Sequence, residues 1–106
     1  MMRLLLYTQI MLWWLLDDPR LGADTREMLA LRPCLLSVAS IWEVAIKHRL
    51  SKLPVSATTF HDQSLASGAS VLPILETHVI ETGTLPPVHE DPVDRLLIAQ
   101  ARMEGL

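Results

Sequence analysis

Three short apolar runs constrain this chain more than any other feature: Arg3 to Tyr7, with Leu4, Leu5 and Leu6 in a row, Cys34 to Val38, and Ser70 to Ile74. A continuous run of this length, rather than an alternating one, is the pattern of a strand covered on both faces. Between the runs lie longer stretches punctuated like helices. Thr8 can cap one through Leu16, ended by Asp17-Asp18-Pro19, and a second runs from Ala23 to Leu31, stopped before Pro33. Ser37 or Ser40 opens a third, through about Leu50. Ser56 to Ala66, Glu76 to Gly83 and Pro92 to Glu104 read as three more, the last with Gly105 as its stop. Strands alternating with helices indicate an α/β sandwich around a parallel sheet, whose sites form at the carboxyl ends of the strands. Tyr7-Thr8, Ser37 to Ser40 and His89 to Asp94 are placed to converge there. No repeat, low-complexity tract or linker divides residues 1–106, so one domain is expected.

Composition limits the function classes. Half of the 106 residues are hydrophobic, which makes this a packed globular chain. Nine basic and twelve acidic residues leave a net charge of −3, against a broad electrostatic grip on nucleic acid. Lys47, His48, Arg49 and Lys52 are the nearest thing to a local basic patch, and serve equally well as a helix end complementing its dipole. Cys34, the single cysteine, cannot form an intrachain disulfide and reads as a buried free thiol. With no zinc-type Cys/His spacing, a reducing, cytoplasmic setting is expected. The uncharged stretch Leu4 to Leu16 is too short to span a bilayer, so no membrane partner is expected. Thr8 and Gln9, with a poor cleavage site at Leu21-Gly22-Ala23, also argue against a signal peptide.

The residues most suited to chemistry lie in HEDPVDRLLIAQA, His89 to Ala101, where Glu90, Asp91 and Asp94 crowd the mouth of an otherwise apolar helix. Asp91 can cap that helix, Pro92 suits its first turn, and Asp94 meets the positive helix end. The acids either form a capping arrangement or aim negative charge at a cleft that serves a cation. Glu43, in SVASIWEVAIKHRLSKL, sits early on the third helix. It can pair with Lys47 at i+4, complete a Ser40 capping box, or join Asp94 at a shared cleft, where a divalent cation would be the natural counter-charge. Trp13 and Trp14 carry more aromatic surface than one core face takes. They are expected to divide between the core and a helix–helix contact, or to offer a partner groove.

Three blocks in order, MRLLLYTQIMLWWLLDDPRL, SVASIWEVAIKHRLSKLP and HEDPVDRLLIAQARMEGL, span nearly the whole chain, and together they resemble the PIN-domain family, in particular VapC-like toxins of type II toxin–antitoxin systems. The resemblance implies a PIN-like three-layer sandwich with a parallel sheet flanked by helices. It implies a small Mg2+- or Mn2+-dependent endoribonuclease that hydrolyses RNA phosphodiester bonds and is held by an antitoxin protein. Family members hold their metal with acids at four places. Glu43 matches the second and Asp94 the third, with Asp91 as a neighbouring acid of the same motif, in roles of metal coordination and water orientation. Two departures go with it. Tyr7 stands where the first acid is expected, and a phenol with a pKa of about 10 is a poor magnesium ligand. The chain also stops at Leu106, before the strand that carries the fourth acid, so a C-terminally truncated fold with weak metal binding and impaired hydrolysis is expected. The same strand pairs beside the first in the family fold, so its absence leaves an open edge and favours a homo-oligomer. The alternative is a catalytically inactive module that binds an antitoxin or a full-length toxin subunit. A third reading, an α/β protein unconnected with RNA, treats every acid as a cap.

Overall fold

The computed structural model describes residues 2–87 and 91–106. All three apolar runs become strands, β1 (Leu4–Leu5), β2 (Cys34–Ser37) and β3 (Ser70–Leu72), in one parallel sheet of order β1-β2-β3. Leu4 pairs with Cys34, Leu5 with Leu35, and Leu35, Leu36 and Ser37 with Ser70, Val71 and Leu72. The helices are α1 (Thr8–Leu15), α2 (Ala23–Leu31), α3 (Val38–Arg49), α4 (Ala57–Ala66), α5 (Glu76–Glu81) and α6 (Pro92–Glu104), with a 3-10 turn at Thr82–Thr84 after α5. The parallel α/β architecture with flanking helices therefore stands as read.

Strand alternation divides the core in two. Leu4, Leu6, Cys34 and Leu36 face a large apolar cluster with Met11 and Leu12 of α1, Leu29 of α2, Val44 of α3 and Phe60 of α4. On the other face Leu5 and Ile74 meet Ala39 of α3 with Val93, Leu96 and Leu97 of α6. The α3 helix thus reaches both clusters, and helices cover both faces of the sheet. Phe60, Met11 and Leu36 have no exposed surface.

Local chemistry explains most boundaries and corrects some. Ser37, not Ser40, caps α3: its Oγ accepts the Ala39 N–H at 3.0 Å, whereas the Ser40 hydroxyl is buried without a partner. Thr8 does not cap α1. Tyr7 holds the N-cap position with no side-chain bond, and the Thr8 Oγ1 is buried and unpartnered. After α1, Asp17 turns the chain with a φ of 52°. The next residue, Asp18, binds the Arg20 side chain at 2.7 Å and the Arg20 N–H at 2.9 Å, which hold its carboxyl down to about 2. The α6 helix has the expected bounds, with Gly105 in the left-handed conformation as its stop. Burial raises the pKa of the Cys34 thiol, as expected for an inert core cysteine. Among the described residues, no helix is long and apolar enough to cross a membrane.

Trp13 and Trp14 are both half-buried against the large cluster, and the Arg20 guanidinium sits 5.0 Å from the Trp13 ring centre. Trp14 also lines a hollow with Gln63 and Ala66 of α4 and with Ser67 just after it.

Candidate active site

Tyr7 and Thr8 follow the carboxyl end of β1, and α3 starts directly from the end of β2. The side chains those junctions present meet the start of α6. Glu43 of α3 and Asp94 of α6 line one pocket, together with Tyr7, Thr8, Gln9 and Lys47. Tyr7 is 49% exposed, so its phenol stands at the rim. Asp94 falls beside the buried stripe of Val93, Leu97 and Gln100, positions i, i+4 and i+7 that turn inward together. Glu43 likewise precedes buried Val44 and is itself half-buried.

Asp91 stands elsewhere. Its Oδ1 accepts the N–H groups of Val93 at 2.8 Å and Asp94 at 3.2 Å, a helix cap. It lines an adjoining hollow with Trp42, Glu43, Ile46, Lys47 and Pro92. The two hollows thus share Glu43 and Lys47, and Asp91 flanks the pocket that holds Asp94 rather than lining it. His89 and Glu90 lie outside the described residues.

Lys47 sets the electrostatics. Its ammonium contacts the Glu43 carboxylate at 2.9 Å, with the Glu43 side chain only 16% exposed. The i+4 pairing open to Glu43 from the sequence is therefore made, and the Ser40 capping box is not. Among the described residues that line it, two carboxylates and one ammonium sum to a formal charge of about −1. Among the described residues, no three His, Cys, Asp or Glu side chains gather as a metal cluster. The donor set still suits Mg2+ or Mn2+ in kind, because magnesium takes oxygen ligands and needs only one or two protein carboxylates beside water. Lys47 is a built-in rival for one of them.

A buried polar network fixes the two acids relative to each other, and reading the sequence missed it. The Ser37 hydroxyl, at the start of α3, donates to Gln100 Oε1 of α6 at 2.6 Å. The Gln100 amide donates to the Pro73 carbonyl at 3.2 Å, just after β3. Beside it His78 is 1% exposed, and its Nδ1 accepts the Leu75 N–H at 3.0 Å. Gln100 thereby ties the helix of Asp94 to the start of the helix of Glu43. The available signal was a glutamine closing an apolar run, Leu96 to Ala99. On the outer side Arg95 binds the carbonyls of Leu85 and Pro86, at 3.2 and 3.0 Å. Trp42, 55% exposed next to Glu43, was also missed.

Comparison with known proteins agrees with this architecture. The family model described as PIN domain matches residues 4–106. The solved structure of VapBC2 from Rickettsia felis, bound to a DNA fragment from their promoter, superposes with a TM-score of 0.66 at 16% identity, covering 98% of this chain and 83% of that one. No curated protein matches.

Proposed function

Because the chain belongs to the PIN domain family, we propose that it is a VapC-like toxin of a toxin–antitoxin pair, an endoribonuclease that hydrolyses RNA phosphodiester bonds with a divalent cation, and that residues 1–106 act as one such unit. The observation that carries this reading is the meeting of Glu43 and Asp94 in one pocket from helices far apart in sequence. A carboxylate pair beyond the end of a parallel strand, at a helix mouth, is a site for a hydrated divalent cation.

Glu43 and Asp94 would hold Mg2+ or Mn2+, with Asp91 as a neighbouring acid that caps α6 and adds negative charge. When bound, the cation supplies a water nucleophile at neutral pH and stabilises charge on the phosphoryl oxygens. The chain's residues do the positioning. Asp91 holds the first turn of α6 through the Val93 and Asp94 N–H groups, which fixes the backbone that carries Asp94. Gln100 fixes α6 against α3. Tyr7 contributes a phenol at the rim where a third carboxylate would strengthen the site, so weak metal binding and slow turnover are expected.

Single-stranded RNA incubated with Mn2+ tests this. Cleavage that EDTA and Asp94→Asn each abolish, with an unchanged circular dichroism spectrum, is expected. Cleavage indifferent to both would remove the reading. One observation favours a second reading, a non-catalytic module that binds an antitoxin: the Glu43–Lys47 ion pair already neutralises one of the two carboxylates. Absent cleavage with tight antitoxin binding would select it. Self-association belongs to the same proposal, since β1 is an edge strand of the described sheet. Light scattering that gives only monomer would remove that element.

A further inference from the structure

We infer that the exposed face of α3 beside the acid pocket is a subsite for single-stranded RNA, in which the Trp42 indole stacks on a base flanking the cleaved phosphate while Arg49 and Lys52 hold the backbone. This rests on the endoribonuclease reading and deepens it.

Trp42 is 55% exposed, unlike Trp13 and Trp14, which the large core half-buries. Tryptophan is normally largely covered in a folded protein, so a bare indole one residue before Glu43 calls for an occupant. Its hollow, about 220 Å³, is bounded by Ile46 and Lys47 on α3 and by Asp91 and Pro92 at the start of α6. It shares Lys47 and Glu43 with the acid pocket, so the two hollows adjoin.

Charge selects the ligand class. Positions 42 and 49 are two helical turns apart on one stripe of α3, about 10 Å along its axis. Arg49 and Lys52 are both exposed, and neither takes part in an ion pair among the described residues. The face therefore runs from a carboxylate pair, past an aromatic plate, to Arg49 at the end of α3, with Lys52 in the turn that follows. A polyanion with flat bases matches that order: phosphates on the cations, a base on the indole, and the next phosphate at the carboxylates where a divalent cation would sit. Stacking on a single aromatic with phosphate contacts alongside is how sequence-tolerant single-strand binding is built. Tryptophan and arginine also serve protein interfaces, and the test separates the two.

Binding of a fluorescein-labelled single-stranded RNA to the full chain, read by anisotropy in EDTA, measures the subsite without cleavage. Trp42→Ala is expected to weaken binding about tenfold or more, the loss of one stacked base, and Trp42→Phe to restore most of it. Arg49→Gln with Lys52→Gln is expected to flatten the salt dependence by about two phosphate contacts. An RNA with abasic positions should bind the wild type poorly and discriminate little between wild type and Trp42→Ala, a check that does not depend on the variant's stability. Equal RNA affinity for wild type and Trp42→Ala overturns the inference, as does a variant that keeps RNA but loses self-association or antitoxin. If the wild type cleaves with Mn2+ while Trp42→Ala leaves KM unchanged, the subsite fails and the nuclease reading stands. If the wild type neither binds nor cleaves RNA, both fail.

Discussion

The two faces of the sheet are closed by different chemistry. Beneath α1, α2 and α4 the contact is apolar, with Phe60, Met11 and Leu36 fully buried. Beneath α6 a small cluster around Val93 and Leu97 is joined by Ser37, Gln100 and His78, whose bonds have fixed partners and directions. Apolar packing is tolerant of shape and strong in aggregate, whereas hydrogen bonds in a low dielectric specify one arrangement. The first face stabilises the molecule, and the second sets where Asp94 stands relative to Glu43. A site built from two helices needs the second kind of contact more than the first.

The largest change should come from the apolar face. Phe60→Ala is expected to cost about 3–5 kcal/mol in denaturant unfolding, yet leave Mn2+ affinity of the folded fraction unchanged. A pocket that loses its metal along with that stability would collapse the distinction. Gln100→Leu should cost less, roughly 1–3 kcal/mol for the unpaired Ser37 hydroxyl and Pro73 carbonyl, while harming Mn2+ binding and cleavage more than Phe60→Ala does. A stability loss with an intact site would show that the network is only packing. At the mouth of α6, Asp91→Ala is expected to cost about 1 kcal/mol as a lost cap, and Asp91→Asn almost nothing. If Asp91→Asn nonetheless removes Mn2+ binding in calorimetry, Asp91 is a ligand as well as a cap. A smaller effect on stability than that of Asp91→Ala belongs to Lys47→Met, about 0.3–0.5 kcal/mol for an i,i+4 pair. Its effect on the pocket has the opposite sign: Mn2+ should bind tighter once the ammonium no longer competes for Glu43. Weaker binding would mean that Lys47 supports the site.

Much of this was legible from local rules. The apolar runs located β1, β2 and β3, although β1 pairs over only Leu4–Leu5 because the chain turns into α1 immediately after. The α6 helix could be bounded from Asp91, Pro92 and Gly105, since a cap acts on neighbours whatever surrounds it. Thr8 misled because a hydroxyl at a helix start suits either the cap or the first turn, and the core buried it instead. The Glu43–Lys47 pair was one of several options open to Glu43, and only the settled side-chain positions chose it. Gln100 was invisible because its partners lie 63 and 27 residues away. Trp42 drew no notice beside the Trp13-Trp14 pair, since sequence shows how much aromatic surface exists and not which ring is left bare.

By itself, then, the sequence determined the periodicities, the helix punctuation and the family pattern, all carried by residues close along the chain or by blocks in fixed order. The tertiary structure decided which acids share a pocket, which carboxylate is spent on a cap, and which lysine answers Glu43. Those outcomes depend on distances between α3 and α6, and packing across the sheet sets such distances only once both faces have closed.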